Sequence, residues 1–555
     1  MLKKETGIAL VTALFFLLFI SMAWFTFSSL GPWEAWMVKN QLESGQAAYL
    51  AETGIQQALW RLEQDWDWRN WGGSLPSSAW SGSHGSDVDG NYYEWNGNLG
   101  DDGQSYLVKI RDNGIIKDKI VSTGTADSSS RTVELELASA FDYGLYSYGQ
   151  MEFKSRSFSV AGDNINGYVY SKDNIIDSSG FLSADKITGK FQGGPGNFFF
   201  FPKKIPMPEL NVTSYITDLN SYKSTMDTYI QILELFSFLW GDNRSTIDDN
   251  LPFNNNKYFN NPSGITIRGD HSFLAPYAVG FKYAVDIGGS WGGIPNSQTT
   301  IDAGKTVVVK GNAVIRNRLV VNGRFFINGN LNIYDNIPGE HNGITIGSGG
   351  LLYIGGNLHA ETKHHDSNDA FLVNGGLYVK GDIFIDNAYA DDVDRYHCVT
   401  VNNTVFANAN FEITDDVRGN EASAGRGLIV INNPTSTAGT MDHAAIFGDD
   451  ILNNNQNHPL FILVINDLLI KDGIGALENL YGFIYNGGKL SRTEAGDFSK
   501  ISPTKVKGGG IIASDYGDLL TGGAITYRDF KSQLYNLGFT DNKDYVRPVL
   551  WKEEN

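Results

Sequence analysis

An acidic loop late in the chain holds the residues best suited to bind a metal ion. Asp391, Asp392 and Asp394 lie close together in sequence, and carboxylate oxygens are the ligands that a hard cation such as Ca²⁺ prefers. The segment lacks the Asp-x-Asp-x-Asp-Gly order of a defined calcium loop. Calcium is therefore the one cofactor that the sequence suggests, and the alternative is that the protein has no cofactor.

A second polar segment spans residues 359–369, with the sequence HAETKHHDSND. His364 and His365 are adjacent, so on a strand they would point to opposite sides. The histidines and acids show no established zinc-ligand spacing. We expect a solvated loop here, not a metal site.

Paired carboxylates on neighbouring strands would indicate cleavage of polysaccharides, in which two acids flank a glycosidic bond. Asp382 and Asp386 would face the same side of a regular strand. In two segments that align with this one, however, Asn330 and Asn357 replace Asp382. We therefore expect no catalytic residues and no enzyme activity. The alternative is a membrane-anchored, carbohydrate-active β-helix enzyme.

Three aligned segments supply the strands that must position these side chains: 323–333, 350–360 and 375–385. Each reads Gly-x-x-x-(Ile/Val)-x-Gly-(Asn/Asp)-(Leu/Ile), a pattern of short strands and corners that indicates a solenoid. We expect a mainly β fold, with a right-handed parallel β-helix over 141–540. The segment 143–174 should begin it, and Gly and Asn should adopt left-handed corner conformations. An amphipathic helical insertion at about 205–245 should pack against its side or end.

The N-terminus predicts a membrane anchor. Lys3 and Lys4 precede an uncharged apolar run from Ile8 to Phe27, and about 20 such residues cross a bilayer as a helix. Basic residues before the span favour a cytoplasmic N-terminus, and the apolar core is longer than that of a secretory signal peptide. We expect a single-pass helix over 8–32 and export of all that follows.

A long helix with a small sheet should occupy 33–140. Strands are expected within 92–138, after a Trp-rich loop at 66–86 whose rings would cover the helix or stack on sugars. Small residues along the helix would let another helix pack closely: Ala47, Ala48, Ala51, Gly54 and Ala58. Residues 541–555 should form a C-terminal tail.

The basic leader, the apolar helix and the sequence Ala51-Glu52-Thr53-Gly54 together resemble PilX-type minor pilins, a branch of the type IV pilin family. The resemblance implies that a prepilin peptidase cuts a 1–7 leader between Gly7 and Ile8. Thr12 occupies the fifth mature position, where major pilins carry Glu. That departure implies a minor subunit rather than the main building block of a fibre.

The resemblance also implies location and partners. The precursor would sit in the bacterial inner membrane, and the mature chain would reach the periplasm, the cell surface or a type IV pilus. Its partners would be other pilin subunits and the pilus assembly machinery. The β-helix body would be displayed for adhesion, binding a surface or glycan ligand, or would prime assembly. A pseudopilin of a type II-like secretion system is the alternative.

Composition argues against nucleic-acid binding and excludes a disulfide within the chain. The 555 residues include 43 basic and 62 acidic side chains, for a net charge of −19, which argues against nucleic acid as a partner. Cys398 is the lone cysteine, so no disulfide can form within the chain.

Overall fold

A computed structural model describes residues 5–554 apart from a series of loops. The residues outside the description are 1–4, 65–81, 88–89, 99–103, 113–117, 139, 154–157, 163–167, 178–181, 185, 193–206, 248–251, 269–270, 288–297, 335–342, 363–370, 388–398, 415, 420–425, 434–444, 449–450, 454, 471–479, 492–503, 517–522, 528–532, 535–536, 540–546 and 555. The chain forms two compact units, Met1–Ala138 with Val546–Asn555 and Ser139–Tyr545.

The N-terminal unit combines one long helix with an antiparallel sheet. Helix α1, Glu5–Gln64, continues through Pro32. The six strands, in their order across the sheet, are Ser83–Asp87, Gly90–Asn98, Gln104–Asp112, Asp118–Ala126, Ser129–Ala138 and Arg547–Glu554. The prediction of a long helix followed by a β-meander is confirmed.

The end of the chain is a strand of this sheet, which corrects the prediction of a tail over 541–555. Arg547–Glu554 pairs antiparallel with Ser129–Ala138, with Trp551 opposite Leu135. Without it, the backbone donors and acceptors along the edge of Ser129–Ala138 would lack these partners.

The C-terminal unit is a solenoid of parallel coils with three faces. The strands of face A, in axial order, are Gly241–Asp242, Lys257–Phe259, Val279–Phe281, Thr306–Val309, Arg324–Ile327, Leu351–Ile354, Gly376–Val379, Thr404–Ala407, Gly427–Ile431, Leu460–Val464, Gly482–Ser491, Thr504–Tyr516, Leu145–Ser147, Tyr168–Asp177 and Lys186–Gln192. The four longest of these, Gly482–Ser491, Thr504–Tyr516, Tyr168–Asp177 and Lys186–Gln192, bend into a neighbouring face. The mainly β fold with parallel solenoid sheets is confirmed, and its hand stays a prediction.

The other two faces are built in the same way. Face B contains Thr246–Ile247, Ile265–Ile267, Val285–Ile287, Ala313–Ile315, Leu331–Tyr334, Leu358–Thr362, Ile383–Asn387, Phe411–Ile413, Ala445–Phe447, Leu468–Ile470 and Met151–Phe153. Face C contains His271–Phe273, Gln298–Ile301, Arg318–Val321, Ile344–Ile346, Phe371–Val373, Val399–Val401, Val417–Gly419, Ile451–Leu452, Gly523–Tyr527, Phe158–Gly162 and Leu182–Ala184. A short 3₁₀ helix, Ala140–Asp142, precedes the first strand of the unit.

Inward-facing apolar side chains fill the solenoid. Along most strands of faces B and C buried residues alternate with partly exposed ones, as in Leu331–Tyr334, so one side of these strands faces the core. Strands of face A are buried at consecutive residues, as in Thr306–Val309. Phe259 and Phe281 stack between neighbouring coils with ring centroids 5.1 Å apart. Burying a side chain of this size stabilises the fold by about 1.5–3 kcal/mol.

The coils do not stack in sequence order. Strand Leu145–Ser147 pairs with Thr504–Tyr516, and Phe158–Gly162 pairs with Gly523–Tyr527, both in parallel. The segment 143–174 therefore follows the last coils of the chain along the axis instead of beginning the β-helix, as predicted from sequence. Thr504–Tyr516 pairs with Gly482–Ser491 on one side. Its backbone N–H and C=O groups on the other side also need partners, and the strand Leu145–Ser147 supplies them.

An amphipathic helix runs back along face A. Helix α2, Thr213–Leu235, buries Tyr215, Leu219, Met226, Ile230 and Leu233, and the short helix α3, Ser237–Trp240, follows it. Tyr215 stacks on Phe406, and Leu233 near the other end packs over Gly280. The helix thus crosses several coils toward Gly241–Asp242, and the predicted helical insertion on one side of the solenoid is confirmed.

Close contacts explain the repeated glycines. A Cβ on Gly350 would lie 2.0 Å from the Val321 carbonyl oxygen, and one on Gly381 would lie 2.0 Å from Asn357 Oδ1. Among the described residues, positive φ occurs at Gly264, Gly304, Gly508, Gly538 and Asp127, none of them a repeat position. The prediction of left-handed corners is therefore wrong there: glycine is needed because the next coil lies too close for a side chain.

Candidate functional site

The first half of α1 presents an apolar surface that the described residues leave uncovered. Phe15 is 72% exposed and Trp24 is 76% exposed. In the part of the chain that the structure describes, this is the one helix long and apolar enough to cross a membrane, and its most apolar stretch has a mean hydropathy of 2.2 with none of it buried. Gly7 and Ile8 lie in the first turns of α1, whereas Lys3 and Lys4 fall outside the described residues.

The uncovered apolar surface extends beyond Pro32. Trp36 is 58% exposed, Val38 63% and Leu42 62%. A helix rises about 1.5 Å per residue, so Leu10 to Leu42 covers about 50 Å, while the hydrocarbon of a bilayer is about 30 Å thick. The hydrocarbon of one bilayer cannot cover all of this surface, so its far part would be exposed to water unless another apolar surface packs on it.

Farther along, the small face of α1 packs on the chain's own sheet. Ala47, Ala51 and Ala58 have no exposed surface, and a Cβ on Gly54 would lie 2.2 Å from Ser122 Oγ. The sequence assigned this stripe to packing against another helix. The structure corrects that assignment, because these small residues let α1 approach the sheet; Ala48, beside them, is partly exposed.

Polar contacts fix α1 over the sheet. Gln57 Oε1 accepts hydrogen bonds from Trp95 Nε1 and from the Tyr106 hydroxyl, both at 2.8 Å. Near the start of the packed region, Glu43 accepts a hydrogen bond from Ser128 at 2.8 Å. That bond, with Lys39 nearby, holds the pKa of Glu43 below its ordinary value despite the opposing effect of burial. The second half of α1 is therefore committed to its own unit, and the first half is free for other partners.

The candidate catalytic acids occupy the corner and outer surface of face B. Asp382 is a corner residue: its backbone N–H donates to Asn357 Oδ1 at 3.0 Å, and its carboxylate accepts from the backbone N–H of Asn410 at 3.1 Å. Asp386 accepts a hydrogen bond from Thr414 at 2.9 Å. The ladder of corner side chains explains why either Asn or Asp can occupy this position, since both offer an acceptor oxygen.

The structure also brings together two acids that the aligned repeats did not reveal. Glu361 and Asp386 are register partners on neighbouring coils, and His359 Nε2 lies 3.3 Å from Glu361 Oε1. Both side chains of that His–Glu pair are more than 40% exposed. The sequence comparison of the repeats considered the position of Asp382, which is four residues before Asp386. It therefore missed the pairing of Glu361 with Asp386.

No group of three or more metal-ligating side chains that could hold an ion occurs among the described residues. The predicted calcium ligands Asp391, Asp392 and Asp394 lie outside the described residues, as do His364, His365 and residues 66–81 of the Trp-rich loop. That loop was predicted to reach residue 86, but its last residues belong to the strand Ser83–Asp87. The calcium site stays a prediction.

A polar groove of about 460 Å³ lies between α2 and the corner that joins faces C and A. On the helix side it is lined by Ser221, Tyr222 and Thr225. On the solenoid side its lining runs from Arg324 through the Ser348–Leu351 turn to Thr404. Those residues belong to four successive strands of face A and the turns before them.

Aromatic side chains are part of the lining of this groove: Tyr222, Phe326 and Tyr378. Tyr222 and Tyr378 pack edge to face with ring centroids 4.8 Å apart. Burial raises the pKa of both phenols, and their hydroxyls are hydrogen-bonded to each other. The repeat alignment contained one signal of this site, because Arg324 stands where the other two copies have Leu351 and Gly376.

Comparisons with known proteins do not identify a family for this chain. No protein-family model matches the chain, and no curated protein matches it. Among solved structures, the crystal structure of the competence-associated pilin ComZ from Thermus thermophilus aligns over 92% of this chain and 97% of that chain, at 10% identity and a TM-score of 0.17. A TM-score this low does not establish a common fold.

Proposed function

We propose that this chain is a minor pilin-like subunit. It would begin as a single-pass precursor in the bacterial inner membrane, lose residues 1–7 to a prepilin peptidase and join a type IV pilus or related fibre. One observation carries the proposal: exposed apolar side chains occur along α1 from Leu10 to Leu42, a span longer than the hydrocarbon of one bilayer. Helices of neighbouring subunits would cover the part that lies outside the bilayer.

Two features favour a minor position in the fibre. Thr12 stands where the resemblance leads one to expect Glu, and the solenoid unit spans residues 139–545, a large body to repeat along a closely packed fibre. We place the subunit at the tip, or sparsely along the fibre, with the solenoid displayed for adhesion or for priming assembly.

Immunogold labelling of sheared fibres with an antibody against the solenoid tests this placement. Gold at fibre ends or at wide intervals is the expected result, and a strain lacking the gene is the control. Uniform decoration would contradict a minor role, and fibres without gold from cells that express the protein would contradict incorporation.

We further propose that the displayed body is not an enzyme. His359 and Glu361 are each more than 40% exposed, so nothing about them suggests the water-excluding site that acid–base catalysis uses. Asp382 serves the corner ladder. Incubation of the purified protein with a panel of polysaccharides should release no reducing ends or unsaturated products, and release that disappears in Glu361→Gln would contradict this.

A further inference from the structure

We propose that the groove between α2 and the solenoid corner binds a short saccharide whose terminal unit carries one carboxylate. This inference deepens the proposed display function and rests on it for its biological setting, although binding can be measured independently. A cavity of about 460 Å³ lies within the range of small-ligand sites. The groove is bounded by charged, hydroxyl and aromatic groups together.

The length of the groove sets the size of the ligand. Its solenoid side runs along the register column Arg324, Leu351, Gly376 and on to Thr404 on the next strand. Neighbouring strands lie about 4.8 Å apart, so the column is about 14 Å long. The coil spacing is close to the repeat of a pyranose chain, and about three sugar units fit.

Arg324 supplies the anion-binding group at one end. Its side chain is exposed and lies near enough to Tyr222 to lower that phenol's pKa, against the larger effects of burial and of the Asp218 carboxylate, which both raise it. Among the described residues, none that lines the groove is Asp or Glu, and no ion pair to Arg324 is formed. A guanidinium in this setting can bind a carboxylate through two parallel hydrogen bonds.

The rest of the lining suits a sugar rather than an apolar molecule. Ser221, Thr225 and Thr404 offer hydroxyls, and Asn403 offers an amide, all of which can donate and accept hydrogen bonds with sugar hydroxyls. Tyr222, which is only partly buried, adds an aromatic ring to this lining.

The charge of the whole chain limits the ligand to few negative groups. A net charge of −19 repels polyanions at long range, whereas one carboxylate held directly by Arg324 gains a short-range contact. A terminal uronic acid on an otherwise neutral saccharide meets both conditions.

Isothermal titration calorimetry on the full-length protein in detergent tests this proposal. The probes are a trisaccharide that ends in glucuronic acid and the matched trisaccharide that ends in glucose. We expect the acidic probe to bind at least tenfold more tightly, and Arg324→Gln to remove that preference while Arg324→Lys keeps part of it. Equal binding of the two probes, no binding at millimolar concentration, or an unchanged preference in Arg324→Gln would overturn the proposal.

Gly349 offers a second, steric test. A Cβ there would have its nearest neighbour, the Asn322 carbonyl oxygen, at 3.9 Å, so Gly349→Ala should bind normally and Gly349→Phe should lose binding of the acidic probe. Circular dichroism shows whether each variant is folded, and binding retained by folded Gly349→Phe would contradict the site. A peptide with a free C-terminal carboxylate is the competing ligand, and its binding in place of the saccharide would also overturn the proposal. Because no fibre is involved, failure here leaves the pilin proposal standing.

Discussion

Leu145 and Ile511 are register partners on adjacent parallel strands, although one stands at the start of the solenoid unit and the other near its end. Both side chains are fully buried. The first strand of the solenoid unit thus pairs with one of its last strands. The strand Leu145–Ser147 therefore has this partner only when Thr504–Tyr516 is in place.

This pairing predicts energetic coupling between the two residues. Leu145→Ala and Ile511→Ala should each lower the free energy of unfolding by about 2–5 kcal/mol, because each leaves a cavity in the core. Since both line the same part of the core, the double variant should depart from the sum by at least about 0.5 kcal/mol. Urea unfolding of the four proteins measures this coupling.

The control is Leu145→Ala combined with Ile333→Ala, since Ile333 is buried in distant coils. Those two substitutions should add to within about 0.5 kcal/mol. Additivity in both pairs would contradict the stacking of Leu145 on Ile511.

Two glycines in α1 predict opposite responses to alanine. Gly45 has open space where a Cβ would be, whereas a Cβ on Gly54 would lie 2.2 Å from Ser122 Oγ and 2.8 Å from Val108 Cγ2. Gly45→Ala should raise the free energy of unfolding by up to about 1 kcal/mol, through better helix propensity. Gly54→Ala should lower it by about 1–3 kcal/mol through overpacking. Thermal unfolding of both variants decides, and a stabilised Gly54→Ala would show that α1 does not approach the sheet this closely.

The attachment of α2 should weaken in acid. Glu234 accepts hydrogen bonds from Lys310 at 2.8 Å and from the Tyr258 hydroxyl at 3.0 Å. The bond from Lys310 is the largest cause that holds the pKa of Glu234 below its ordinary value of 4.5. A carboxylate with a lowered pKa stabilises the fold above its unfolded pKa, and this contribution is lost as the pH falls below 4.5 through the folded value.

Amide hydrogen exchange in peptides from 213–235 measures that loss. Protection should fall between pH 5 and about pH 3 in the wild type, and Glu234→Gln should show weaker protection with less pH dependence. Asp227→Asn is the matched control, since Asp227 pairs with Lys223 within the same helix. Equal pH dependence in the wild type and Glu234→Gln would contradict the role of Glu234.

The apolar residues of α1 beyond Pro32 should matter for assembly and not for folding. Val38 and Leu42 are each more than 60% exposed, so Val38→Asp and Leu42→Asp should leave the free energy of unfolding within about 0.5 kcal/mol of wild type. Both should reduce the yield of cross-links from a cysteine at position 45 to other pilin subunits in cells. Thr53→Asp, in the half of the helix that packs on the sheet, is the control. Unchanged cross-linking in both apolar variants would show that this surface has no helical partner.

Local patterns in the sequence were enough to predict the individual elements. The aligned glycines at 323, 350 and 375 placed three coils correctly, because a solenoid repeats the same close contact on each coil. The amphipathic spacing around Met226 and Leu233 identified α2 as a helix with one buried face. Both signals depend on neighbours within one or two turns or coils.

Relations between distant segments could not be predicted in this way. Nothing in the strand around Leu145 shows that its partner is Ile511, because any apolar parallel strand satisfies the same pattern. The small residues of α1 could likewise pack against another helix or against a sheet. The close contacts that they make with Ser122 and Gly124 show that the sheet is the partner. The groove beside Arg324 needed α2 to be placed over face A before its lining could be seen.

The N-terminus of the protein recovered from cells with and without the prepilin peptidase tests the central claim most directly. Edman sequencing or N-terminal peptide mass spectrometry should find a start at Ile8 in the wild-type strain and the intact leader, with Lys3 and Lys4, in the peptidase mutant. Gly7→Leu in the wild-type strain should also keep the leader. An uncut N-terminus in both strains would contradict a pilin-like subunit and leave a solenoid tethered to the membrane by an ordinary anchor.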